Sequence, residues 1–94
     1  MEDTTDNIAA LEKTYALRIL ALILEEGPIS RTNLYHRMSS SPRTPQDRVK
    51  ELIELGLLQE VPRPSDPRMR ILDLTPKGKR IADLASKMKK EMKK

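Results

Sequence analysis

Arg63, Arg68 and Arg70 crowd into the stretch PRPSDPRMR (residues 62–70) together with Asp66 and three prolines. A guanidinium presents a planar fork of N–H donors that matches phosphate or carboxylate oxygens two at a time. Prolines would stiffen the turn, and Asp66 could orient one guanidinium through a charge-assisted hydrogen bond. A second set, Arg43, Gln46, Asp47 and Lys50, is spaced three and four apart, so a helix would bring these donors and acceptors to one face. Other chemistry is poorly provided for. The sequence has no cysteine and one histidine, His36, which leaves no ligand set for an ordinary zinc site and no thiol nucleophile. No Asp/Glu cluster at loop spacing, nucleophile with an evident base or phosphate loop is present, so neither metal, cofactor nor enzymatic activity is expected.

The charge is unevenly placed. Residues 1–61 hold seven Lys/Arg against ten Asp/Glu, net −3, whereas residues 62–94 hold eleven against four, net +7. A basic C-terminal third favours a polyanionic partner, although its closing KMKKEMKK also reads as a solvated helix face or a frayed tail. The longest apolar run, Ala16 to Leu24, is broken by Arg18 and is about half the ~20 residues of a membrane span. The start, MEDTTDN, is acidic where a secretory signal is basic. A soluble, cytoplasmic chain with no membrane association is expected. At 94 residues the length suits one domain with one small core.

Several elements must position the polar sets. Ile8, Leu11, Tyr15, Ile19, Leu20, Ile23 and Leu24 recur at helical spacing, predicting one helix from Ile8 to Glu26, capped by Asp6 or Thr5 after a flexible arm over 1–7 and ended by Gly27-Pro28. Apolar on more than one face, it should be buried on several sides. Pro28 to Ser30 could pair as a short edge segment. Ser30 then caps a short helix with Leu34 and Met38 inward. After the turn cluster SSSP, Thr44-Pro45-Gln46-Asp47 resembles a capping box with Asp in place of Glu, opening a helix from about Pro45 to Leu55 that stops at Gly56. On its wheel Pro45, Val49, Leu52, Ile53 and Gly56 face the core, opposite Arg43, Gln46, Asp47 and Lys50. The period then shortens to two: Leu57 to Pro64 and Arg68 to Leu74 form a hairpin, Leu72 and Leu74 on the face opposite Met69 and Ile71. Thr75-Pro76 opens a last helix over 76–94 with Ile81, Leu84, Ala85, Met88 and Met92 on one stripe. The spacing four, three, four within it is that of a coiled-coil seam, pointing to dimerisation, with a helix folded back on its own domain as the plainer alternative.

The order helix, helix, helix, hairpin, helix, carrying LYHRM…RVKELIELGLLQEV into RPSDPRMRILDLTPKGK, resembles a winged helix-turn-helix, and within that superfamily the MarR-like transcriptional regulators. Asp66, Arg68, Leu74, Thr75 and Gly78 match that family's wing, and Leu52, Gly56 and Leu57 the close of its recognition helix. The likeness covers roughly residues 16 to 82. It implies a mainly α fold with a small β-hairpin, a bacterial or archaeal origin, and binding to double-stranded DNA as a homodimer through the terminal helices: Leu11, Tyr15, Ile81, Leu84, Ala85, Met88 and Met92. The family's larger dimer interface and effector cleft need helices for which this chain has little room, so no small-molecule effector is assigned.

In helix-turn-helix docking the N-terminal part of the recognition helix meets base edges in the major groove. Gln46 can then pair with adenine, Arg43 with guanine, and Asp47 with cytosine N4, although the simpler role for Asp47 is capping. Arg43, Thr44, Gln46, Asp47 and Lys50 form the reading set. Arg31, Thr32, Arg37 and Ser41, with His36 nearby, would touch phosphates, and Arg63, Arg68 and Arg70 the minor groove or its phosphates. Tyr15 and Tyr35 are the only aromatics, too few for single-strand stacking. Two other roles use the same fold, a protein-protein assembly module and an architectural chromatin protein without base preference. The Arg43/Gln46/Lys50 surface speaks against the first, and the lysine-rich end is the best sign of the second.

Overall fold

The computed structural model describes residues 8–38 and 43–94 of the chain. The expected arm over 1–7, the Asp6 or Thr5 cap, the SSSP turn and Ser41 lie outside the described residues. The elements run α1 (Ile8–Leu11), α2 (Ala16–Glu26), α3 (Arg31–Met38), α4 (Arg43–Glu54), β1 (Leu58–Arg63), β2 (Asp66–Leu74) and α5 (Pro76–Met92).

The core is assembled around α2, which buries Ala16, Ile19, Leu20, Ala21 and Ile23 and so is covered on several sides, as its all-round apolarity requires. Leu34 of α3, Pro45, Val49 and Leu52 of α4, Leu57, and Leu58, Leu72 and Leu74 of the hairpin close over it. Each large side chain buried in this way contributes roughly 1.5–3 kcal/mol. The strands pair antiparallel with Leu58 opposite Leu74 and Val61 opposite Ile71, and the period-two expectation holds: Leu72 and Leu74 are buried while Met69 is exposed. Near the tip the register slips between Pro62 and Arg63, where proline has no N–H to give the ladder. Ile29 adds a third, one-residue edge. Its N–H donates to the Leu72 carbonyl at 3.0 Å and its carbonyl accepts from the Leu72 N–H at 2.8 Å.

Two expectations are corrected. The single N-terminal helix is two, broken over Glu12 to Tyr15, with Tyr15 in the left-handed region at φ 71°. The cause lies far along the chain. Arg48 of α4 donates from Nε to the Thr14 carbonyl at 2.8 Å, and Lys13 pairs with Glu51 at 3.4 Å, so carbonyl and side chain of the break are satisfied by α4 rather than by a continuing helix. Next, α4 is already helical at Arg43, so Thr44 is not its cap, and Asp47, a full turn in, is past the capping position. Pro45 remains tolerated because the first-turn N–H groups have no intrahelical acceptor to lose. In α5, Gly78, Ala82 and Ala85 are buried against the chain's own core, so Ala85 leaves the expected stripe, while Leu84, Met88 and Met92 stay exposed by 57, 52 and 85 %.

Two glycines explain how α5 is held. The C-terminus of α4 is a Schellman motif: Gly56 (φ 77°) donates to the Ile53 carbonyl at 3.0 Å and Leu57 to that of Leu52 at 2.9 Å. Gly56 is therefore an exposed cap and not part of the core face. Thr75 bridges this cap to α5. Its hydroxyl donates to the Gly56 carbonyl at 2.6 Å and accepts from the Gly78 N–H at 2.9 Å. Gly78 then lies so close to the Leu57 backbone that an added Cβ would fall 1.9 Å from its carbonyl oxygen.

Candidate nucleic-acid interface

Because Pro45, Val49 and Leu52 anchor α4 to the core, the opposite face is presented outward, and Arg43, Thr44, Gln46, Asp47 and Lys50 are all exposed there. Arg43, Asp47 and Lys50 make no ion pair among the described residues. Gln46, Asp47 and Lys50 form one wall of a concavity of about 670 Å³, whose other side is Arg31 and Tyr35 of α3, with Ile53 and Glu54 at its far end. Ile53, expected in the core, is half-buried and faces this groove.

The hairpin places a second basic surface on the molecule. Arg63, Arg68 and Arg70 are exposed and form no ion pair among the described residues. Asp66 does not orient a guanidinium: its carboxylate accepts from the Arg68 backbone N–H at 3.2 Å, closing the turn in the manner of an Asx motif.

The arginines of α3 are engaged within the protein. Arg31 pairs with Glu60 of β1 at 3.0 Å and donates to the Tyr35 hydroxyl at 3.3 Å. Burial is the strongest single influence on its pKa and pulls it down, yet the bonds to Tyr35 and Glu60 together outweigh it and the pKa is raised. Arg37 grips Glu26, the last residue of α2, with both guanidinium nitrogens, one of them at 2.6 Å. That bidentate bond holds the Glu26 carboxyl below the usual carboxylate value and raises Arg37. Glu26 and Glu60 went unforeseen, since eleven and twenty-nine residues of chain separate them from their partners and no local pattern links them. Thr32 and His36 are exposed beside these pairs.

Of the residues expected at a dimer seam, Leu11, Tyr15 and Ile81 are half-buried, while Ala85 is buried within the chain itself. Ile8, Leu11, Leu55, Leu57, Lys77 and Ile81 line a small cleft of about 120 Å³, next to the outward Leu84 and Met88 of α5. Tyr15 lies under the Arg18 guanidinium, 5.6 Å from its ring centre. Among the described residues no group of three or more His, Cys, Asp or Glu could hold a metal ion, and no helix is long and apolar enough to cross a membrane.

No protein-family model and no curated protein matches the chain. Solved structures do. The adhesin competence repressor AdcR of Streptococcus pyogenes superimposes with a TM-score of 0.73 at 21 % identity, covering 92 % of this chain and 64 % of that one. The transcriptional regulator Tm0710 of Thermotoga maritima gives 0.70 at 26 % identity over 85 % of this chain and 56 % of its own. MarR of E. coli gives 0.68 at 19 % identity, over 82 % and 57 % respectively. The chain thus spans less than two thirds of the length of these structures. With α2 to α4, a hairpin wing and the closing α5, its fold is a MarR-like winged helix-turn-helix.

Proposed function

We propose that the chain is a sequence-specific regulator of transcription that binds double-stranded DNA, with α4 in the major groove and the hairpin on the adjacent minor groove or its phosphates. The observation that carries this reading is the exposed row Arg43, Gln46, Asp47 and Lys50 on the outward face of α4, with three wing arginines free of ion pairs among the described residues. Major-groove readout requires side chains of these types, projecting from the first turns of a helix that its core face holds rigid. The similarity to structures described as a repressor and a transcriptional regulator supports the same conclusion. No catalytic role is assigned.

The protein works as a homodimer, reading two half-sites about one helical turn apart. Leu84, Met88 and Met92, turned away from the core, supply the self-complementary surface, and the cleft at Ile8 and Leu11 extends it. The site of action is the nucleoid of a bacterial or archaeal cytoplasm. The test is fluorescence anisotropy on two duplexes, one of mixed sequence and one taken from upstream of the protein's own coding region. Binding on the order of a thousandfold tighter to the second establishes a specific factor that regulates itself. Equal binding to both supports an architectural role instead. Failure to bind either at low salt removes the DNA-binding reading.

A further inference from the structure

Asp47 is the one acid among the reading residues, and capping does not account for it: the helix is under way at Arg43, and among the described residues its carboxylate accepts no backbone N–H and joins no ion pair. Arg43 and Lys50 stand four residues before it and three after it, close enough for an intrahelical pair, yet neither engages it. An exposed carboxylate facing a polyanion is repelled, and one desolvated at an interface without a donor is costly. The major-groove edges offer few donors. Guanine shows two acceptors and thymine an acceptor and a methyl group, adenine's amine stands beside the N7 acceptor, and cytosine alone presents its N4 amine without an adjoining acceptor.

Resting on the function proposed above, we infer that Asp47 is a specificity-determining residue that accepts a hydrogen bond from the N4 amine of a cytosine and rejects the other bases at that position. The carboxylate acts mainly by exclusion. It gains one charge-assisted bond at cytosine and meets a lone pair at guanine O6 or thymine O4. Arg43, on the same face one turn earlier, is placed to take the O6 and N7 of a guanine, so that a guanine and a cytosine in neighbouring positions are read by opposite charges.

The experiment selects binders from a random duplex pool with the wild-type chain, Asp47→Asn and Asp47→Ala, followed by anisotropy on the enriched wild-type site. Since Asp47 is exposed and has no ion-pair partner among the described residues, both variants fold, which circular dichroism checks. The expected result is a cytosine position in the wild-type motif that relaxes in Asp47→Ala and moves toward adenine in Asp47→Asn. Replacing that cytosine by 2-pyrimidinone, which lacks the amine, weakens the wild type about tenfold more than it weakens Asp47→Ala. Binding of Asp47→Ala to unrelated duplexes rises. Identical motifs for all three proteins overturn the assignment and leave the DNA-binding reading standing, as does wild-type binding without base preference. No binding by the wild type at low salt overturns both.

Discussion

Gly78→Ala tests how α5 is docked, because two effects of opposite sign meet at that residue. In an exposed helix position the change would stabilise by about 1 kcal/mol, since alanine is the better helix former. Here the new Cβ would stand 1.9 Å from the Leu57 carbonyl oxygen and 2.9 Å from its carbon, both backbone atoms that cannot rotate away. Relief requires α5 to lift by an ångström or more. Lifting strains the Thr75 N–H bond to the Leu57 carbonyl (3.1 Å) and unseats Ala82 and Ala85, which are 0 % and 6 % exposed. Overpacking of this kind costs ~3 kcal/mol and a weakened hydrogen bond ~1, so after the helix gain the net loss is about 3 kcal/mol. For a chain of this size that lowers Tm by roughly 10–20 °C, read by circular dichroism at 222 nm. Thr75→Ala, which removes the cap and the bond to Gly56, should cost about 1–2 kcal/mol by itself. An unchanged or raised Tm for Gly78→Ala would refute the close approach of α5 to the Leu57 backbone.

Other outcomes follow from the same contacts. Gln46→Ala should relax base preference at one position with little change in binding to mixed-sequence duplex, measured by competition between duplexes. Glu26 and Glu51 are both held below the ordinary carboxyl pKa of 4.5, by Arg37 and Arg48 respectively. Their pairs therefore stabilise the fold fully above that value and lose the contribution as pH falls through the depressed one, so urea midpoints should drop below about pH 4.5 and the drop should shrink in Glu26→Gln and Glu51→Gln. Leu84→Glu with Met88→Glu should leave the fold intact, since both side chains are more than half exposed, and shift sedimentation from the proposed dimer to monomer.

Much of this arrangement is legible in the chain because local signals and packing agree. The spacing of Val49 and Leu52 against Gln46 and Lys50 fixes which side of α4 faces out, the alternation at Leu72 and Leu74 fixes the hairpin's inner face, and Thr75-Pro76 marks the start of α5 by capping alone. Departures occur where a distant residue decides. The break before α2 is set by Arg48, some thirty residues on, so the apolar spacing of Leu11 and Tyr15 runs through it undisturbed. In α5 the inward face is built from Gly78, seated on the Leu57 backbone, and two alanines, residues too small to carry much hydrophobic signal. Leu84 and the methionines carry that signal and point away. At the candidate interface, the exposure of the α4 and wing side chains could be read from residue type and spacing, whereas the pairing of Arg31 and Arg37 could not, because the carboxylates that hold them arrive from β1 and α2.

The salt dependence of DNA binding, compared between the wild type and a variant with Arg63, Arg68 and Arg70 all replaced by alanine, bears most directly on the proposed docking. Each phosphate neutralised contributes about −0.9 to the slope of log affinity against log salt, so loss of three contacts should flatten it by about 2.7 and weaken binding to every duplex alike. Circular dichroism of the variant should be unchanged, as the three side chains are exposed. A wild-type slope that the variant shares, or no binding at low salt, would contradict a wing that grips the duplex.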